Sequence, residues 1–100
     1  NGNETNVTVI NNTISGPEAQ SSNENALGIR ISSSEDWKIE NNTISDNYRG
    51  VSVTSGSTGI NIVNGEIINN TTGVYIDNGS EASKDSNIYF NGNIDDIKNE

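Results

Sequence analysis

A chain of 100 residues with 29% hydrophobic content forms one domain at most and has too little apolar surface for a broad two-layer core. Its 14 acidic against 5 basic side chains give a net charge of -9, which repels phosphate backbones and anionic lipid and argues against nucleic acid partners and membrane insertion. With no Cys, Met or His there are no thiol nucleophiles, imidazole bases or soft metal ligands, and no apolar run approaches the length of about 18 residues that a membrane span needs.

Low hydropathy with high charge is also the signature of disorder, so pattern must decide whether the chain folds. The chain opens on Asn1 in a polar run rather than on Met, which reads as a processed or excised segment.

The first element with a pattern runs from Val7 to Ser15, as VTVINNTIS. It returns as WKIENNTIS from Trp37 to Ser45, and a third copy runs from Ile60 to Ile68. Three apolar columns superpose: Val7, Trp37 and Ile60; Val9, Ile39 and Ile62; Ile14, Ile44 and Ile67. Ile88 and Phe90 read as the start of a fourth copy, shortened by one residue before Ile94. A second column follows the first, as Gly28-Ile29-Arg30-Ile31, Gly50-Val51-Ser52-Val53 and Gly73-Val74-Tyr75-Ile76.

The second and third copies keep step throughout, whereas the earlier spacing is lengthened by a loop insert near 16–26 and the later one by an insert near 77–86. Inserts confined to polar segments between intact apolar columns are what loops on a solenoid look like. The apolar positions are nearly all Ile and Val and alternate in short runs, so they predict strands. A period of about 23 residues is too short for a strand, a helix and two loops, but fits one turn of a coil of short strands. The predicted fold is all-β, a right-handed parallel β-helix of about three and a half coils, residues 1–100 forming a single segment. Gly28, Gly50 and Gly73 precede strands, where a sharp corner calls for positive φ. Asn11, Asn41 and Asn64 align, as do Asn12 and Asn42, and stacked coils about 4.8 Å apart would place them in amide ladders.

The NNTIS segments at 11–15 and 41–45, with the Gly-Ile/Val-x-Ile/Val pairs, resemble parallel β-helix repeats of the pectate-lyase-like superfamily, of the kind found in carbohydrate-binding and sugar-hydrolase proteins and surface adhesins. The resemblance spans about Val7 to Ile97 and implies a fold shared by lyases, hydrolases, tailspikes and adhesins, so function must come from sites. Enzymes of that superfamily combine paired Asp with His, Lys or Arg. Here the adjacent carboxylates are Glu35-Asp36 and Asp95-Asp96, with no His beside either and only Arg30 and Arg49 as arginines. The expectation is a non-catalytic segment, with a polysaccharide lyase or hydrolase as the enzyme alternative.

Residues 77–81 and Asp85 gather oxygen ligands, so Asp77 and Asp85 are the candidates for Ca2+, without EF-hand spacing; no other cofactor is expected. Thr8, Lys38, Asn61 and Tyr89 read as one outward column and Arg30, Ser52 and Tyr75 as another. Tyr48, Tyr75 and Tyr89 are the candidates for stacking on sugar rings, although tyrosine also simply suits strands. Asn-x-Ser/Thr acceptors occur at Asn3, Asn6, Asn11, Asn41, Asn69, Asn70 and Asn78; Asn11 and Asn41 fall in the expected ladder, Asn3 and Asn78 in exposed polar segments, and the glycosylation candidates are Asn3, Asn69 and Asn78. A short solenoid leaves unpaired edges and an apolar cross-section at both ends, here at Val7, Val9, Ile88 and Phe90. The chain therefore reads as a structural or adhesive segment of an extracellular or cell-surface protein, a fragment or a protomer, stacking on further coils of its own protein or on identical copies. The alternative is a carbohydrate-binding or carbohydrate-processing module.

Overall fold

The computed structural model describes residues 5–100, and every regular element in it is a strand. In chain order these are β1 (Thr8–Ile10), β2 (Thr13–Ser15), β3 (Leu27–Ser32), β4 (Lys38–Ser45), β5 (Arg49–Thr54), β6 (Ile60–Ile68), β7 (Thr72–Ile76), β8 (Ala82–Lys84), β9 (Ile88–Asn91) and β10 (Asp95–Asn99). All pairing between them is parallel. One sheet stacks β1 and β2 on β4, β4 on β6, and β6 on β8 and β9; the other runs β3, β5, β7, β10. A narrow third side is carried by the bridges Thr5 to Glu35 and Glu35 to Thr58. The result is the expected parallel β-solenoid, four layers deep in each sheet. No described helix is long and apolar enough to cross a membrane.

The apolar columns become the interior. Val9 pairs with Ile39 and Ile39 with Ile62, Ile14 with Ile44 and Ile44 with Ile67, and Ile29, Val51, Val74 and Ile97 continue one another through the second sheet. Twelve of these side chains and their neighbours form one buried core that includes Trp37. Successive β-branched residues fill a pleated interior with little rotamer freedom to lose, which lets so few apolar residues suffice.

Corners are set by backbone conformation. Three columns are filled by left-handed Asn, Asp or Gly, namely Asn6, Asp36 and Gly59; Asn11, Asn41 and Asn64; Asp46, Asn69 and Gly92, all with φ between 55° and 73°, and the aligned Ser33 and Ser55 are left-handed as well. Only Gly, Asn and Asp enter this region at small cost, which explains why those three types interchange down each column. Asn11, Asn41 and Asn64 are thus corner residues rather than the expected ladder, and Asn11 and Asn41 are exposed. Conversely, Gly28, Gly50 and Gly73 are not at positive φ. They are glycine because a Cβ would fall 2.6 Å from the Gly50 carbonyl oxygen, 2.7 Å from that of Gly73 and 2.5 Å from that of Asp96, respectively.

Two further expectations change. The fourth layer does not begin at Ile88: Ala82 and Lys84 occupy the Ile60 and Ile62 columns, while Ile88 lies opposite Gly65 and Phe90 opposite Ile67. Segment 77–86 is accordingly no insert but an in-step part of the fourth coil. Ser83, not Tyr89, continues the outward column of Thr8, Lys38 and Asn61, and Tyr89 pairs with Glu66. Residues 16–26 contain no strand and lie down along the stack. Gln20 N–H donates to the Asn69 carbonyl and Gln20 Nε2 to that of Gly92, both at 2.7 Å, and the Thr71 hydroxyl donates to the Ser21 carbonyl at 2.6 Å. This strap ties the first coil to the third and fourth.

Candidate functional site

Two polar columns lock the coils together, each repeating at 23 residues. In the first, Ser34 N–H donates to Ser57 Oγ at 3.1 Å and Ser57 N–H to Ser80 Oγ at 3.2 Å. It closes inside the fourth coil, where Ser80 Oγ donates to Asp77 Oδ1 at 2.6 Å and Ser80 N–H to the Asp77 carbonyl at 3.1 Å. In the second, Asn47 N–H donates to Asn70 Oδ1 at 3.0 Å and Asn70 N–H to Asn93 Oδ1 at 2.8 Å. Asn70 and Asn93 also reach one coil back, Asn70 Nδ2 donating to the Ile44 carbonyl at 3.3 Å and Asn93 Nδ2 to that of Ile67 at 2.9 Å, whereas Asn47 Nδ2 donates to the Ser45 carbonyl of its own coil at 2.9 Å. The expected pairing of Asn12 with Asn42 is present, with Asn12 N–H donating to Asn42 Oδ1 at 2.9 Å, and it stops where Gly65 follows in the column. The only trace of the Ser34 and Asn47 columns in the sequence is identical residues at an offset of 23, which the apolar columns do not mark.

The fourth coil forms an open end. β8, β9 and β10 each pair on one side only. Ile97, an inward residue stacked on Val74, is 40% exposed, and Ile94 is 63% exposed. With Ile62, Val74, Ile76 and Ala82, Ile97 borders a shallow hollow at this end whose rim also carries Ser83, Lys84 and Asn99. At the other end Ile29 and Ile31 are buried although β3 is an edge strand. Among the described residues the second sheet is thus covered at its first layer and open at Ile97 in its fourth, while the first layer of the other sheet carries Ile10, 42% exposed. Of the sequence-derived edge residues, Val7 adjoins and Val9 lies in β1 at the first layer, and Ile88 and Phe90 lie in β9 at the fourth; all four are half-buried against the core.

The tyrosines do not form one platform. Arg49 places its guanidinium carbon 3.6 Å from the Tyr75 ring centroid and 5.4 Å from that of Tyr48, so Tyr75 already gives one face to a cation. Ser52 and Thr72, which lie among these larger groups on the second sheet, are shut from solvent. Tyr89, 57% exposed, projects from the first sheet beside Glu66. Arg30 stays in the outward column with Ser52, Tyr75 and Lys98.

Asp77 and Asp85 serve separate backbone caps. Asp77 Oδ2 accepts from Ser55 N–H at 3.1 Å, while Asp85 Oδ1 accepts from Asn64 N–H at 3.1 Å and from Asn87 N–H at 3.2 Å. Among the described residues no three His, Cys, Asp or Glu side chains come together to hold a metal. Asn78 is exposed in a turn and Asn69 is a half-buried corner residue; Asn3 lies outside the described residues.

Residues 2–95 match the family model described as "NosD: Periplasmic copper-binding protein (NosD)". No curated protein and no solved structure matches the chain. Copper is held by thiolate, thioether and imidazole ligands above all, and this chain contains no Cys, Met or His. Its residues do not fit that metal.

Proposed function

The chain belongs to the NosD family, and from that premise we propose that it is a non-catalytic structural segment of a protein outside the cytoplasm, joined to further β coils through its open coil edges. The periplasmic description of the family supports the location, and the acidic, Cys-free surface is compatible with it. The copper in the family's description does not transfer to these residues. The kinship of the repeat with pectate-lyase-like solenoids is part of the same proposal, supported by the stacked Asn side chains and the coil of 23 residues.

The observation that carries this function is the fourth coil, with three strands unpaired on their outer side and Ile94 and Ile97 in solvent. Backbone groups and apolar area left in that state are stabilised by one more layer. Among the described residues no carboxylate pair backed by a matched base favours catalysis, and the Arg49 contact on Tyr75 occupies ring area that a sugar would use.

The test is an extended chain. Because Glu100 N–H donates to the Ile76 carbonyl and so stands at the position of Asp77, a second copy of residues 55–100 appended after Glu100 continues the coil in phase. The in-phase chain should melt in one transition roughly 5 °C or more above the original. A chain appended from residue 56 instead, one position out of phase, should gain nothing. Equal melting of all three would contradict the stacking function.

A further inference from the structure

Resting on the stacking function above, we propose that the fourth-coil end selects its partner: it takes a parallel coil that carries an asparagine in line with Asn93 and an aliphatic residue in line with Ile97.

The selection follows from how the two polar columns end. The serine column is complete, because Ser80 satisfies its hydroxyl and its N–H on Asp77 within its own coil. The asparagine column is not. Asn47 and Asn70 each donate their main-chain N–H to the carboxamide of the next coil, whereas Asn93 N–H has no partner among the described residues. The Asn93 side chain is already engaged backwards and sideways, with Nδ2 on the Ile67 carbonyl and on Asp96 Oδ1 at 3.1 Å. A carboxamide from one further coil repeats the established step: its oxygen accepts from Asn93 N–H, and its nitrogen donates to the carbonyl of Phe90, which stands where Ile67 stands one coil back.

The apolar half of the requirement is set by Ile97, the last member of the column Ile29, Val51, Val74 and Ile97. A Val or Ile above it buries the remaining exposed surface in a strand register that the edge of β10 already fixes.

A second copy of this chain does not meet the requirement with its first coil. Ser15 pairs with Ser45, so the position equivalent to Asn47 is Pro17, which has no carboxamide. Ile29 and Ile31 of that coil are already covered. The fitting partner is an asparagine-bearing coil such as residues 55–77, in which Asn70 and Val74 stand at the two required positions.

The readout is amide hydrogen exchange of Asn93 in the in-phase extended chain, compared with the same chain carrying Ala at the appended copy of Asn70. The asparagine extension should slow Asn93 exchange by about 100-fold or more relative to the 100-residue chain, and the alanine extension should lose most of that protection. If both extensions raise the melting temperature but leave Asn93 exchanging fast, asparagine selection is overturned while stacking stands. If neither extension raises it, stacking itself fails. Protection of Asn93 that develops when the unextended chain is simply concentrated would identify a second copy as the partner and overturn the selection.

Discussion

Asn70 accepts the main-chain N–H of Asn47 at 3.0 Å from a residue 23 positions earlier, and its own side chain is fully buried between coils. Its amide also donates to the Ile44 carbonyl and to Asn93 Oδ1. Replacing Asn70 by Ala leaves the buried main-chain N–H of Asn47 without its acceptor and removes the bond to the Ile44 carbonyl, while Asn93 Oδ1 keeps the Asn70 N–H, and should cost about 1–3 kcal/mol in urea unfolding. Asn12→Ala, at an exposed rung of the shorter Asn12–Asn42 pair, should cost well under half of that.

Gly50 and Gly56 separate two reasons for being glycine. A methyl on Gly50 meets the Gly73 carbonyl at 2.7 Å and Asn70 Nδ2 at 3.1 Å, so Gly50→Ala should push coils apart and cost about 1–3 kcal/mol. Gly56 has open space around it but φ of +75°, so Gly56→Ala should cost only about 1 kcal/mol. Melting curves that rank Gly56→Ala as the worse variant would contradict the close-approach explanation.

Trp37 fills the interior with an indole whose Nε1–H has no partner among the described residues. Phe removes that orphan donor and keeps most of the volume, so Trp37→Phe should lie within about 1 kcal/mol of the parent. Trp37→Ala should lose about 3–5 kcal/mol through the cavity it opens. Equal losses in chemical denaturation would show that the indole nitrogen matters in the fold.

Much of this architecture is legible in the sequence, and the exceptions have physical causes. The Val9, Ile14 and Ile29 columns announce themselves because β-branched residues recur in step. The start of the fourth coil is hidden in the sequence because its first strand, Ala82–Lys84, lacks the aliphatic pair that marks Ile60 and Ile62. Asn11, Asn41 and Asn64 suggested a ladder because identity down a column says only that the position is constrained; here the constraint is a left-handed corner. Open coil edges follow from any short solenoid, but that Ile29 and Ile31 are covered while Ile97 is exposed follows from no repeat pattern. Neither the strap from Gln20 to Gly92 nor the stacking of Arg49 on Tyr75 follows any repeat offset, so no sequence period reveals them.

Copper offers a separate check on function. With no His, Cys or Met, titration of the folded chain with Cu+ or Cu2+ against a competing chelator should show no stoichiometric uptake and no rise in melting temperature. A one-to-one complex that survives the chelator would require a ligand set outside the chemistry described above.

The most direct measurement is native-state hydrogen exchange on the unmodified chain in dilute solution, read at Asn47, Asn70 and Asn93. These three amides occupy the same place in successive coils, and only the last lacks an acceptor. An open fourth-coil end predicts slow exchange at Asn47 and Asn70 and exchange near the unprotected rate at Asn93. Protection at Asn93 equal to that at Asn70 in the monomer would mean that this end is already covered, and would contradict the central claim.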